Sequence, residues 1–90
     1  MKKIKCLIVD DEELARSLLI NFINRRDELE VVGSFKNPVE ASAFLTDNQV
    51  DIIFLDNQMP GQTGIEFLKE YNPSQSVILT TAYPEFAIEG

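Results

Sequence analysis

Ile52-Ile53-Phe54-Leu55-Asp56 is the stretch whose reading decides the fold. It is an uninterrupted apolar run that closes on a carboxylate. Asn57, Gln58, Met59, Pro60 and Gly61 follow at once and read as a loop. A run apolar on both faces is the pattern of a central strand of a parallel sheet, covered by helices on each side. An Asp at the carboxyl end of such a strand stands where open α/β sheets hold their ligands.

Working outward, the same pattern recurs. Ile4 to Val9 is a second apolar run, closed by Asp10-Asp11-Glu12-Glu13. Leu14, Leu18, Leu19, Phe22 and Ile23 then repeat at the spacing of one helical face. Glu12 and Glu13 stand in the first turn of this helix and Arg25 and Arg26 in its last, matching the macrodipole, with Asp10 or Asp11 as N-cap. Glu30 to Phe35 predicts a shorter strand at a sheet edge, interrupted by Gly33. Asn37-Pro38 opens a second helix, Pro being favoured just after an Asn cap, with Val39, Ala43 and Phe44 as its apolar side. After Asp56 and its loop, Thr63 and Glu66 form a capping-box pattern for a third helix, with Ile65, Phe67 and Leu68 facing inward. Ser76 to Thr81 is a fourth strand, and Glu85 to Glu89 begins a fourth helix. Strict alternation of strand and helix predicts a parallel sheet wound by right-handed crossovers, an α/β doubly wound fold.

Composition narrows the function. Ninety residues make one small domain of ordinary globular composition, 44% hydrophobic and 26% charged. A net charge of −7 argues against direct nucleic-acid binding, which calls for a basic face. There is no His, so a site must be built from carboxylates, hydroxyls, amides or Lys. The single cysteine, Cys6, lies inside an apolar run and reads as a buried thiol, in keeping with a reducing compartment. The basic-then-apolar start breaks at Asp10-Asp11 and is no signal peptide, and no run approaches the ~20 apolar residues of a membrane span. The expected location is cytoplasmic, without membrane contact.

In a parallel sheet, Asp10-Asp11, Asp56 and Thr80-Thr81 all end strands on the same edge. Carboxylates gathered there repel one another, and a hard divalent cation, Mg²⁺ with Mn²⁺ as a substitute, is the economical remedy. Asp56 can then act as a nucleophile toward phosphorus and form an acyl phosphate, with a Thr hydroxyl at the next strand end bonding a phosphoryl oxygen. The bland alternatives are a charged helical turn for Asp10-Asp11-Glu12-Glu13, a capping Asp for Asp56 and ordinary strand Thr for Thr80 or Thr81. Their common register weighs against all three holding at once.

Leu7-Ile8-Val9-Asp10-Asp11-Glu12, then Ile53-Phe54-Leu55-Asp56 with Met59-Pro60-Gly61 and Gly64, then Leu79-Thr80-Thr81-Ala82, resemble the receiver domain of two-component response regulators. The resemblance runs over essentially the whole chain. It implies a flavodoxin/CheY-like sheet in the order 2-1-3-4, with the family's fifth strand and fifth helix missing. The domain is then residues 1-90, incomplete at its C-terminus, and the stop at Gly90 reads as a cut through an unfinished helix.

By the same resemblance Asp56 matches the phospho-acceptor, and Asp10 and Asp11 match the acidic metal ligands. The main-chain carbonyl of Gln58 completes the metal shell. Thr81 matches the switch hydroxyl, whereas Thr80 points into the core. The implied partner is a histidine kinase. The Thr80-Thr81-Ala82-Tyr83 segment, followed by Glu85 and Ala87, is most similar to LytTR-type regulators, whose DNA-binding output domain usually follows. The family's pocket Lys has no counterpart here, which favours, as a competing reading, a phosphorylation-impaired interaction module. An aspartyl phosphatase of the haloacid-dehalogenase type requires a second Asp two residues after the nucleophile. That position is Gln58, so no turnover of outside substrates is expected. The apolar fourth strand, Val77 to Thr81, is left as a sheet edge through which copies are expected to associate.

Overall fold

The computed structural model describes residues 3–56, 63–71 and 75–80. Strands β1 (Ile4–Val9), β2 (Leu29–Phe35), β3 (Ile52–Asp56) and β4 (Ser76–Thr80) alternate with helices α1 (Glu13–Asn24), α2 (Pro38–Asp47) and α3 (Gly64–Tyr71). The strands form one four-stranded sheet in the order β2-β1-β3-β4. Every pairing in it is parallel. The expected strand order is therefore that of the molecule, with β2 at one edge. The expected helix after residue 84 lies outside the described residues.

The two central strands each feed two cores, because side chains alternate across a strand. Leu7 and Val9 of β1 join Ile53 and Leu55 of β3, with Ala41, Leu45, Val50 and Phe67, in one cluster under α2 and α3. Cys6 and Ile8 face the other way and pack with Ile23, flanked by Leu19, Ile20, Ile52 and Phe54. This double duty is the physical reason Cys6 to Val9 and Ile52 to Leu55 are apolar on both faces.

The sequence placed the elements well and some of their faces poorly. Of the residues expected on the apolar side of α1, Ile23 is buried and Leu19 packs beside it. Leu14, Leu18 and Phe22 instead stay 71%, 61% and 63% exposed. The periodicity was that of an amphipathic helix, but its centre is turned toward Ile20 and Ile23. On α2 the buried side is Pro38, Ala41 and Leu45, with Phe44 tilted against Phe35 at a ring separation of 5.3 Å. Val39 and Ala43 face outward. Ala41 is short enough to let the helix lie against the sheet, which apolarity alone does not reveal.

Helix starts follow their local chemistry closely. Asn37 Oδ1 accepts the Glu40 amide at 2.9 Å, with Pro38 at the first position of α2. At α3 the capping box closes in both directions: Glu66 N donates to Thr63 Oγ1 at 3.1 Å and Thr63 N donates to Glu66 Oε1 at 2.8 Å. Phe67 is buried behind it and Leu68 packs on the same core. The side chain of Ile65 lies outside the described set. The N-cap of α1 is Glu12 rather than Asp10 or Asp11, and its side chain makes no cap bond. Arg25 is the C-cap of α1, so neither Arg25 nor Arg26 stands in its last turn.

Gly33 is where β2 slips. The β1–β2 register shifts between Cys6 and Leu7, so Cys6 lies opposite Val31 but Leu7 lies opposite Gly33. A Cβ at Gly33 would stand 2.8 Å from Leu7 Cδ1 and 2.9 Å from Phe35 Cε2. The irregularity is closed by its neighbours, and a side chain there would require Leu7 or Phe35 to shift.

Candidate functional site at the carboxyl edge of the sheet

All four strands run the same way, so β1 and β3 deliver their last residues to one edge. Asp10 follows β1 and Asp56 ends β3. Both are buried, each 6% exposed, and they are the buried polar residues among those described. Asp11 is exposed beside them. One carboxylate oxygen from each of Asp10, Asp11 and Asp56 lies within 4.8 Å of the others. Sequence separation of more than 40 residues is thus closed by the parallel register alone, which pairs Val9 with Leu55.

Asp10 is fixed at several atoms. Its amide donates to the Phe35 carbonyl at 3.0 Å, extending the β1–β2 ladder by one residue. Its Oδ1 accepts the Glu12 amide at 2.9 Å, which turns the chain into α1. Its carbonyl accepts from the Arg16 guanidinium at 2.7 Å. Arg16 was not singled out by the sequence. Its only prior signal was a cation one turn into the helix that follows the acidic run.

The site opens as a cleft of about 220 Å³ lined by Asp10, Glu12, Ala15, Leu18, Leu19, Asp56 and Thr80. Thr80 lies opposite Asp56 in the β3–β4 register. It was expected to point into the core and instead lines this cleft, because it shares a sheet face with Ile78, and Ile78 lies beside Phe54. Gln58 and Thr81 lie outside the described residues, as does the loop between β3 and α3.

The donor set suits a hard divalent cation. Three carboxylates, two of them withdrawn from water, meet within 4.8 Å of one another. Mg²⁺ takes such oxygen ligands and keeps water in its remaining positions. Unlike the carboxylates, the Cys6 thiol takes no part: it is buried in β1, and burial pushes its pKa above the ordinary 9.0. Its Sγ donates a long 3.7 Å bond to the Ile4 carbonyl.

With this geometry in view, comparison with known proteins decides the family. The model of the response regulator receiver domain matches residues 6–88. The chain belongs to the response regulator receiver family. It is 40% identical over 88 residues to the transcriptional regulatory protein BtsR of Salmonella typhi, a match covering 96% of this chain and 37% of that one. It is 35% identical over 88 residues to an uncharacterized response regulatory protein of Shewanella oneidensis, again over 37% of the relative. The receiver therefore spans little more than a third of the length of these curated relatives.

Among solved structures, the response regulatory domain of mrkE from Klebsiella pneumoniae superposes with a TM-score of 0.78 at 35% identity, covering 96% of this receiver and 73% of that chain. The response regulator domain of Thermotoga maritima CheB gives 0.79 at 31% identity, over 90% and 62%. The fold is the flavodoxin/CheY-like one in the order 2-1-3-4. Relatives of the methylesterase kind match only through their receiver part, 20% of one such chain from Nitrosomonas europaea. As a receiver domain the protein is a phospho-acceptor of two-component signalling, and the family binds Mg²⁺ through acidic residues. Among the described residues, no helix is long and apolar enough to cross a membrane.

Proposed function

We propose that this receiver takes a phosphoryl group from a histidine kinase onto Asp56, with Asp10, Asp11 and Asp56 holding Mg²⁺ or Mn²⁺. The observation that carries the assignment is the meeting of three carboxylates at one strand edge, two of them buried. Asp10 has a structural use, its Oδ1 under the Glu12 amide, but gathering three carboxylates at one place costs free energy that a cation would offset. A bound cation would supply positive charge toward which an anionic phosphoryl group can approach. Asp56 contributes the nucleophile: a carboxylate oxygen forms the new P–O bond as the P–N bond of the phospho-imidazole breaks, and the imidazole leaves. Asp10 and Asp11 contribute fixed oxygens on the β1 side. Thr80 closes the β4 side of the cleft, Thr81 is assigned the switch hydroxyl, and the carbonyl of Gln58 is assigned the last protein ligand.

The test is direct. Incubation with Mg²⁺ and acetyl phosphate, followed by intact mass measurement, is expected to show one phosphate adduct that disappears in Asp56→Asn and in EDTA. An adduct that survives Asp56→Asn, or that forms equally without metal, refutes the assignment. Absence of any adduct in the parent favours the interaction-module reading.

The wider reading rests on the relatives. The transcriptional regulators among them support a DNA-binding, LytTR-type output domain in the full regulator and a cytoplasmic location, with the receiver as residues 1-90. Self-association through β4 belongs to the same proposal. Ile78 and Leu79 are exposed on this strand, and among the described residues β4 has β3 as its sole neighbour. Size-exclusion chromatography with light scattering is expected to show mass rising with concentration. A constant monomer mass would remove the edge from the account.

A further inference from the structure

We infer that Arg16 is a positioning residue for the metal site: its guanidinium holds the Asp10 main chain so that the Asp10 carboxylate stays turned toward Asp11 and Asp56. The inference rests on the reading that these carboxylates bind the cation.

The argument begins with a cation in an unexpected place. Arg16 stands one turn into α1, beside a cluster of acids, yet the acceptor it takes is the Asp10 carbonyl, at 2.7 Å. That is a short bond, in the range of charge-assisted ones. A helical side chain leans toward the N-terminus of its own helix, which brings Arg16 back over the turn between β1 and α1. Arg16 is half-buried, so its bond is shielded from the competition with water that weakens surface contacts.

Asp10 needs such a hold. It lies after the last residue of β1, where the ladder to β2 ends with its amide on Phe35. The chain then turns into a helix whose N-cap, Glu12, supplies no side-chain cap bond. What fixes the turn is a set of bonds converging on Asp10: its amide on Phe35, its Oδ1 under the Glu12 amide, and its carbonyl under Arg16. Fixing the amide and the carbonyl of one residue fixes the plane from which its carboxylate projects. With Oδ1 held by the Glu12 amide, the direction in which the carboxylate projects toward Asp11 and Asp56 is set by this same turn. Arg16 thereby acts one bond behind a ligand, the place from which outer-shell partners tune metal sites.

The sign of the effect separates this role from simple proximity. A cation near three carboxylates repels Mg²⁺, so removing its charge would tighten metal binding if charge were all that mattered. Loss of positioning weakens it. Binding is measured with Mn²⁺ alone, by disappearance of the free-ion electron paramagnetic resonance signal, and with Mg²⁺ as competitor. Arg16→Gln is expected to weaken Mn²⁺ binding about tenfold, the lower end of what outer-shell partners contribute. Arg16→Lys keeps the charge and one donor but loses the planar fork, and is expected to fall between Gln and parent. Circular dichroism melts in EDTA are expected to show all three chains folded, with the variants close to the parent. Parental or tighter binding in a folded Arg16→Gln overturns the inference. If Arg16→Gln does not fold, Arg16→Lys decides: weaker binding upholds the inference and parental binding overturns it. A parent that binds neither ion overturns the metal reading itself, and the inference with it.

Discussion

The two ends of the sheet each use aspartates, to opposite purposes. At the amino end, Asp51 precedes β3 and stays exposed. Its Oδ2 accepts the Lys5 amide at 2.8 Å, its amide donates to the Lys5 carbonyl at 2.9 Å, and its carbonyl accepts the Ser76 amide at 3.2 Å. One residue thus aligns β1, β3 and β4 at their starts, with its charge left in water. At the carboxyl end Asp10 and Asp56 are buried beside Asp11, like charge against like charge. The first arrangement lowers the free energy of the fold. In the second, carboxylates stand close to one another, and that proximity is what the proposed cation would offset. The lesson is that an Asp at a strand terminus acquires its role from burial and company, not from its position next to a strand.

The comparison breaks most visibly if metal is supplied. On the proposed metal site, Mg²⁺ at a hundredfold excess over its dissociation constant is expected to add about 2.7 kcal/mol to stability. Thermal melts with and without EDTA measure it. Asp11→Ala is expected to abolish most of that increment, while Asp51→Ala is expected to leave it whole. A smaller effect lies at the other end. Asp51→Ala removes an exposed but charged acceptor from the Lys5 amide and is expected to cost about 1 kcal/mol in urea unfolding, with metal affinity unchanged. Equal metal loss in both variants would erase the distinction between the two ends.

The smallest effect concerns Cys6, whose thiol is buried between the two ends in β1. Burial raises its pKa above 9.0, with the Asp51 charge adding to the rise and the Glu30 backbone opposing it. The folded chain therefore keeps its proton to higher pH than the unfolded chain. Stability is expected to be flat with respect to this group below the unfolded thiol pKa and to fall as pH rises through and above it. Urea midpoints from pH 7 to 10 in the parent and in Cys6→Ala check this: the extra decline in the parent should vanish in the variant.

Much of this was legible in the residues themselves. Cys6 to Val9 and Ile52 to Leu55 are apolar throughout because each strand alternates between two cores, and that pattern points to a covered parallel sheet. Asn37-Pro38 and the Thr63–Glu66 pair announced their helices because capping is chemistry between near neighbours in sequence. Less legible was the facing of α1 and α2. Leu14, Leu18 and Phe22 are as apolar as Leu19 and Ile23, and only the position of the helix on the sheet chose between them.

The site divides in the same way. Alternation of strand and helix, by itself, determines that Asp10, Asp11, Asp56 and the end of β4 share an edge, since parallel strands must all finish on one side. Tertiary structure alone decided that Asp10 and Asp56 are buried, that Thr80 rather than the core lies beside Asp56, and that Arg16 reaches back to the Asp10 carbonyl. Periodicity fixes the side of a sheet on which a residue emerges. It carries no information on the ångström-scale distances that set hydrogen bonds and charge repulsion, which come only when separate elements pack against one another.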